Sequence, residues 1–271
     1  MMMKRLLITG AAGALGGHCR QHVSHLAEIV RVSDRDTLGK AAAHEEVVQA
    51  DLADRQAVMD LVAGCDGILH FGGQATEGPW QTVRDSNIEG LYNLYEAARK
   101  HGCRRIFYAS SIHAVGYHSV TANLDETISI RPDTLYGVSK AFGEALARFY
   151  FEKFGIESAC VRIASCQPQP QNHRMLATWL SYDDLVRLVE RVFAVPVLGC
   201  PILFGVSAND RRWADNRSAD FLGWKPQDNA ETHLARLDAE QGDPDPTASD
   251  FHHIGGPYID MPIMSDTDNE V

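Results

Sequence analysis

The chain has 271 residues, 45% of them hydrophobic and 23% charged, the balance of a soluble domain that buries a sizeable core without staples. A formal net charge of −11 argues against a nucleic-acid or anionic-membrane surface as the main partner. No apolar stretch approaches the roughly 18 residues of a membrane span, so a cytoplasmic location is the expectation.

The opening MMMKRLLITG has only a short apolar run before a glycine, which reads as a buried strand over 4–9 and not as a signal peptide. TGAAGALGGH follows at once, with Gly10, Gly13 and Gly16 spaced G-x-x-G-x-x-G where a strand gives way to a helix over about 14–27. In that setting Gly10 permits the tight turn, Gly13 admits a pyrophosphate, and Gly16 allows close helix–sheet packing. Ala14 and Leu15 open the helix, whose free N–H groups favour phosphate. A second strand over 28–33 runs into Asp34, 18 residues after Gly16. A carboxylate there accepts both ribose hydroxyls and repels a 2′-phosphate, so NAD is expected over NADP, with Arg31 and Arg35 close enough to soften the preference.

A third strand over 45–50 ends near Asp51 and Leu52, placed to frame an adenine. The bland alternative for Asp51 is a solvated turn acid. The segment DRQAVMDLVA then reads as a helix capped by Asp54 and closed before Gly64. A fourth strand over 67–72 ends in Phe71, Gly72 and Gly73, a second small-residue turn for the cofactor backbone. A long helix is expected over 80–101, carrying Asn87. Further strands are expected over 104–110, 157–164 and 202–207, and further helices over 134–154 and 183–194. Continuously apolar strands alternating with helices specify a doubly wound parallel α/β sheet of the Rossmann type. Residues 1–165 are read as the NAD-binding part. Residues 166–271 are read as a small substrate-binding portion that does not fold alone, ending in a late helix within NAETHLARLDAEQGD and a polar tail, PDPTASD.

The six cysteines form no C-x-x-C pair and lie in apparent core segments, the pattern of reduced thiols. The twelve histidines include no metal-ligand spacing with a nearby carboxylate, so no metal is expected.

The fifth strand ends in Ser110 and Ser111, and YGVSK follows 25 residues after Ser111. Tyr136 and Lys140 share a helix face at i, i+4. An ammonium beside a phenol stabilises the phenolate and lowers a pKa near 10, which fits the tyrosine as a general base for an alcohol. Ser111 would hold the substrate oxygen. Taken alone, the pair reads first as an ordinary interfacial aromatic beside a solvated charge. The nucleotide turn upstream and the adjacent serine are what favour catalysis.

TGAAGALG, Asp34, Asp51-Leu52, HFGG, Asn87 in NIEGLYN, Ser111 and YGVSK together resemble the extended short-chain dehydrogenase/reductase superfamily over residues 4–165. The resemblance implies Ser111, Tyr136, Lys140 and Asn87 as catalytic residues, with Ser110, Tyr136 and Lys140 also touching NAD. LVAGCDGILHFGG, VRIASCQPQPQNHRML, VLGCPILFG and FLGWKP extend the likeness to the uronate dehydrogenases over most of the chain. That implies NAD-dependent oxidation at C1 of cyclic D-glucuronate or D-galacturonate to the aldarolactone. It places Ser111, His113, Tyr136, Ser165 and Arg174 against the sugar, with Arg174 gripping the carboxylate through paired hydrogen bonds. A homo-oligomer is the expectation from related enzymes. Two departures stand out, Ala75 and Ile112, where the resemblance implies polar side chains. Each removes a hydrogen bond worth about 0.5–1.5 kcal/mol. A sugar epimerase or dehydratase with tightly held NAD, and a non-catalytic NAD-sensing regulator, are the alternative readings.

Overall fold

The seven apolar runs come together as one parallel sheet in the computed structural model, which describes residues 2–242 and 251–264. The strands are β1 (Met3–Thr9), β2 (Ala27–Asp34), β3 (Glu45–Gln49), β4 (Gly67–His70), β5 (Arg105–Ser111) and β6 (Glu157–Ile163), with β9 (Ile202–Gly205) at the far edge. Two-residue strands β7 (Ser165–Cys166) and β8 (Trp179–Leu180) pair separately. The order β3-β2-β1-β4-β5-β6-β9 reverses direction beside β1, so the crevice at the carboxyl ends of β1 and β4 is the natural ligand site.

Both faces of the sheet are covered, which is why its strands are continuously apolar. On one face Cys19 and Val23 at α1 (Ala14–His22) pack with Leu185, Leu188, Val189 and Val192 of α7 (Tyr182–Ala194) against Leu6, Ile8 and Val161. On the other, α2 (Arg55–Val62), α4 (Gly90–His101) and α5 (Leu135–Phe154) cover Leu7, Ile68 and Ile106. Each such fully buried Leu, Ile or Val contributes about 1.5–3 kcal/mol. Residues beyond 165 supply α7 and β9 to this same sandwich. They also supply α6 (Met175–Thr178) and α8 (Leu234–Gln241), which share a small cluster with Trp179 and Ala230.

Several helices differ from their sequence outlines. The first stops at His22 and gives way to a single 3₁₀ turn, Ser24–Leu26. The stretch expected as one helix over 80–101 starts as α3 (Trp80–Val83), widens into a π turn over Arg84–Glu89, then tightens into α4. Such wide turns let one side chain project differently from its neighbours, and the residue inside this one is Asn87. The late helix is 3₁₀ over Ala230–His233 before becoming α8. The PDPTASD tail lies outside the described residues. Among the described residues, no helix is long and apolar enough to cross a membrane.

The segment 251–264 crosses the carboxyl end of the sheet. Ile254 N–H donates to the His118 carbonyl and Gly255 N–H to that of Gly116, each at 2.9 Å. Ile254 is fully buried against Ile112, Val115, Leu124 and Phe204.

Candidate active site

Two adjoining cavities lie above β1, β4 and β5, with volumes of about 290 and 480 Å³. The outer one is lined by Gly10, Asp34, Asp51, Leu52, Phe71, Gly72 and Gly73. The inner one carries Gly13, Ala14, Leu15 and Gly16 from the glycine turn, then Ser110, Ser111, His113, Tyr136, Lys140, Ser165 and Arg174. Of the residues expected to act in catalysis or to bind cofactor or substrate, Asn87 alone lines neither cavity.

The glycine turn fits a dinucleotide. Gly10 has φ +71°, and a Cβ there would lie 2.6 Å from the Phe71 carbonyl carbon, so only glycine brings the two turns this close. Helix α1 begins at Gly13 with no side-chain cap and no acid in its first turn, leaving its N-terminal dipole to an anion. The Asp34 carboxylate is oriented from behind: Ala12 N–H donates to Oδ2 at 2.9 Å and Asp36 N–H to Oδ1 at 3.1 Å. A carboxylate has lone pairs to spare beyond these two bonds for a pair of ribose hydroxyls in the outer cavity.

Helix α5 is built to present its first turn. The Thr134 hydroxyl caps it, accepting from Gly137 N–H at 3.0 Å, and the buried Glu77 carboxylate accepts from Tyr136 N–H at 2.9 Å. The glycine of YGVSK is obligatory because any Cβ at Gly137 would overlap the His113 carbonyl oxygen. Tyr136 thus lies against the end of β5, where the Ser111 hydroxyl hydrogen-bonds to it and also accepts from His113 N–H at 3.2 Å. Burial pushes the Tyr136 phenol above its ordinary pKa. The Ser111 bond opposes that rise, while nearby Tyr258 and Asp133 add to it. Burial also pulls Lys140 down from 10.5 to about 8. Its ammonium donates to the Ala109 carbonyl at 2.8 Å and lies 5.3 Å from the centre of the Tyr136 ring. One of the lysine's three N–H donors goes to that carbonyl, and loss of water is the largest influence on the phenol.

The sequence placed Asn87 among the catalytic side chains; the structure sets it one layer behind. Its amide donates to the Gln74 carbonyl and the Ser139 hydroxyl, each at 3.0 Å, and its oxygen accepts from Gln74 N–H at 2.7 Å. It ties the wall of the cavity to α5, and the π turn aims it there. Ser110 lines the inner cavity, but its hydroxyl donates to Glu144 at 2.7 Å. Glu144 in turn holds Arg162 by two bonds at 2.8 and 2.9 Å, both side chains being almost wholly buried.

On the substrate side, Ser165 shares a hydrogen bond with Thr178 at 2.9 Å. Arg174 is buried, with its guanidinium 5.3 Å from the Trp213 ring centre and one N–H donated to the Ile254 carbonyl. It is a fixed cation in the cavity wall, not a solvated loop cation. His113 is bonded through Nδ1 to Asp133 at 2.7 Å, which sets its ring orientation. Ile112 is a core residue, 5% exposed. Sequence reasoning did not single out Asp133, Glu77 or Tyr258. Asp133 stands three residues before Tyr136 and was within reach of a motif reading. Tyr258 had no local signal, because only the crossing of the 251–264 segment brings it here.

The chain is similar to known proteins along nearly its whole length. The family model for the NAD dependent epimerase/dehydratase family matches residues 6–181. The uronate dehydrogenase of Agrobacterium fabrum is 53% identical over 262 residues, covering 97% of this chain and 99% of that one. A crystal structure of uronate dehydrogenase from Agrobacterium tumefaciens superposes with a TM-score of 0.96, at 53% identity, over 98% of this chain and 100% of that one. A tyrosine-to-alanine mutant of that enzyme, complexed with NAD, superposes at 0.95, also at 53% identity, over 97% and 99%. By fold, motif and similarity along nearly its full length, the chain belongs to the NAD dependent epimerase/dehydratase family.

Proposed function

We propose that this chain oxidises the C1 hydroxyl of cyclic D-glucuronate or D-galacturonate to the aldarolactone, with NAD as oxidant. One observation carries the reading: Ser111, Tyr136 and Lys140 line the same cavity as the buried cation Arg174, next to the glycine turn. The names of the relatives point to the same substrate class. NAD, held by the glycine turn and Asp34, supplies the hydride acceptor and a fixed positive charge. Tyr136, as its phenolate, takes the proton from the C1 hydroxyl and becomes the phenol as hydride leaves C1 for NAD, and Ser111 holds that oxygen in line with it. Lys140 favours the phenolate form of Tyr136 that accepts the proton, and reaches the cofactor ribose. Arg174 grips the carboxylate, which fixes C1 at the other end of the sugar ring. Ser165 and His113 meet ring hydroxyls. Asn87 acts by positioning Gln74 and α5.

A uronate mixed with the protein and NAD yields NADH, followed by its absorbance. Absence of NADH with both glucuronate and galacturonate overturns the reading. Product without net NADH, with cofactor co-purifying, would identify an epimerase instead. An NAD-sensing regulator would give neither; the intact Ser111, Tyr136 and Lys140 set speaks against it. The thiols, all free among the described residues and mostly buried, support a reducing, cytoplasmic setting. Tyr92 of α4 with Val138, Phe149 and Phe154 of α5 leaves apolar surface exposed on neighbouring helices, which supports self-association there.

A further inference from the structure

Two apolar side chains, Ala75 and Ile112, line the inner cavity between Gln74 and His113, at the positions where the resemblance implies polar groups. A sugar ring presents hydroxyls in every direction, and a hydroxyl buried against such a wall loses water without replacement. The structure brings one polar group to this place from the far end of the sequence. Ile112 packs on Ile254, and that contact docks the strap whose next turn is a 3₁₀ helix, Gly256–Asp260. Tyr258 from this turn lines the cavity, stacks on His113 with ring centres 4.0 Å apart, and bonds through its hydroxyl to Thr76 Oγ1 at 2.8 Å.

Two hydroxyls bonded to each other use one proton between them and keep one proton and several lone pairs for a third partner. This pair stands beside Ala75, since Thr76 is its chain neighbour. The His113 ring on which Tyr258 stacks also stands edge-on to the Tyr136 ring, with centres 5.8 Å apart, so Tyr258 lies on the side of the cavity where the C1 proton is received. With Arg174 holding the carboxylate, the sugar hydroxyl closest to C1 is the one on C2.

We infer that Tyr258, braced by Thr76 and His113, is a specificity-determining residue that bonds the C2 hydroxyl of the uronate through its own hydroxyl. The inference rests on the proposed uronate reaction and deepens it. The stacked ring fixes the phenol in place before substrate arrives, so the contact costs little ordering.

The test compares Tyr258→Phe and Thr76→Val with the unmodified chain, using glucuronate and 2-deoxyglucuronate. Phenylalanine keeps the stacking and removes only the hydroxyl. The expected result is a three- to tenfold fall in kcat/KM on glucuronate, carried mainly by KM, with no fall on the 2-deoxy sugar; about one neutral hydrogen bond sets that size. Calorimetric binding of glucuronate to the protein without NAD should weaken by a similar factor in Tyr258→Phe. Equal losses on both sugars, or unchanged kinetics and binding, overturn the inference. An unmodified chain that turns over no uronate defeats the functional reading itself, a separate outcome.

Discussion

The Lys140 ammonium sits 5.3 Å from the centre of the Tyr136 ring and donates to the Ala109 carbonyl at 2.8 Å. Burial of the pair lowers the lysine to about 8 and pushes the phenol up from its ordinary value. This arrangement has a thermodynamic signature. Between pH 10.5 and about 8 the unfolded chain binds a proton at this lysine that the folded chain does not. Unfolding free energy therefore falls as pH drops through that window and levels off below it, by about 3 kcal/mol for a shift of this size. Urea denaturation of the unmodified chain and of Lys140→Met at pH 7.5 and pH 10 isolates the effect. The variant should lack this part of the pH slope.

Replacing Tyr136 by phenylalanine removes the proton acceptor and little volume. Turnover should fall by about 10²- to 10⁴-fold, the usual contribution of a positioned general base. NAD binding, followed by quenching of tryptophan fluorescence, should persist. Near-normal turnover in this variant would show that another group takes the proton.

Arg162 and Glu144 form an ion pair with side chains 1% and 2% exposed, behind Ser110. Arg162→Met leaves a buried carboxylate without its cation and should cost about 3–5 kcal/mol. Replacing both residues with apolar ones of similar volume should restore most of that loss. A double-mutant cycle in urea measures it, and a double variant as unstable as the single one would contradict the account.

Arg174→Lys keeps a positive charge and loses the paired donor geometry. KM for glucuronate should rise by about ten- to a hundredfold, as expected for hydrogen bonds to a charged group. The melting temperature should change far less, because the lysine stem still packs towards Trp213. An unchanged KM would move the carboxylate contact elsewhere.

What the sequence determined by itself is everything that repeats locally. The order of strands and helices follows from short apolar runs and their spacing. Gly10 is legible because a turn with positive φ tolerates nothing else, and Tyr136 with Lys140 is legible because four residues make one helical turn. Only the tertiary structure decided which side chains were available for chemistry. Asn87 looked catalytic in its motif, but a π turn commits its amide to Gln74 and Ser139. Ile112 lines the cavity where the resemblance implies a polar group, and only the fold shows that it is also the residue on which Ile254 packs. Tyr258 carried no signal at all, since its place beside His113 depends on a strap packing across the sheet from the other end of the chain. Local pattern fixes backbone conformation; whether a polar side chain faces a cavity or a buried partner is settled by contacts between segments far apart in sequence.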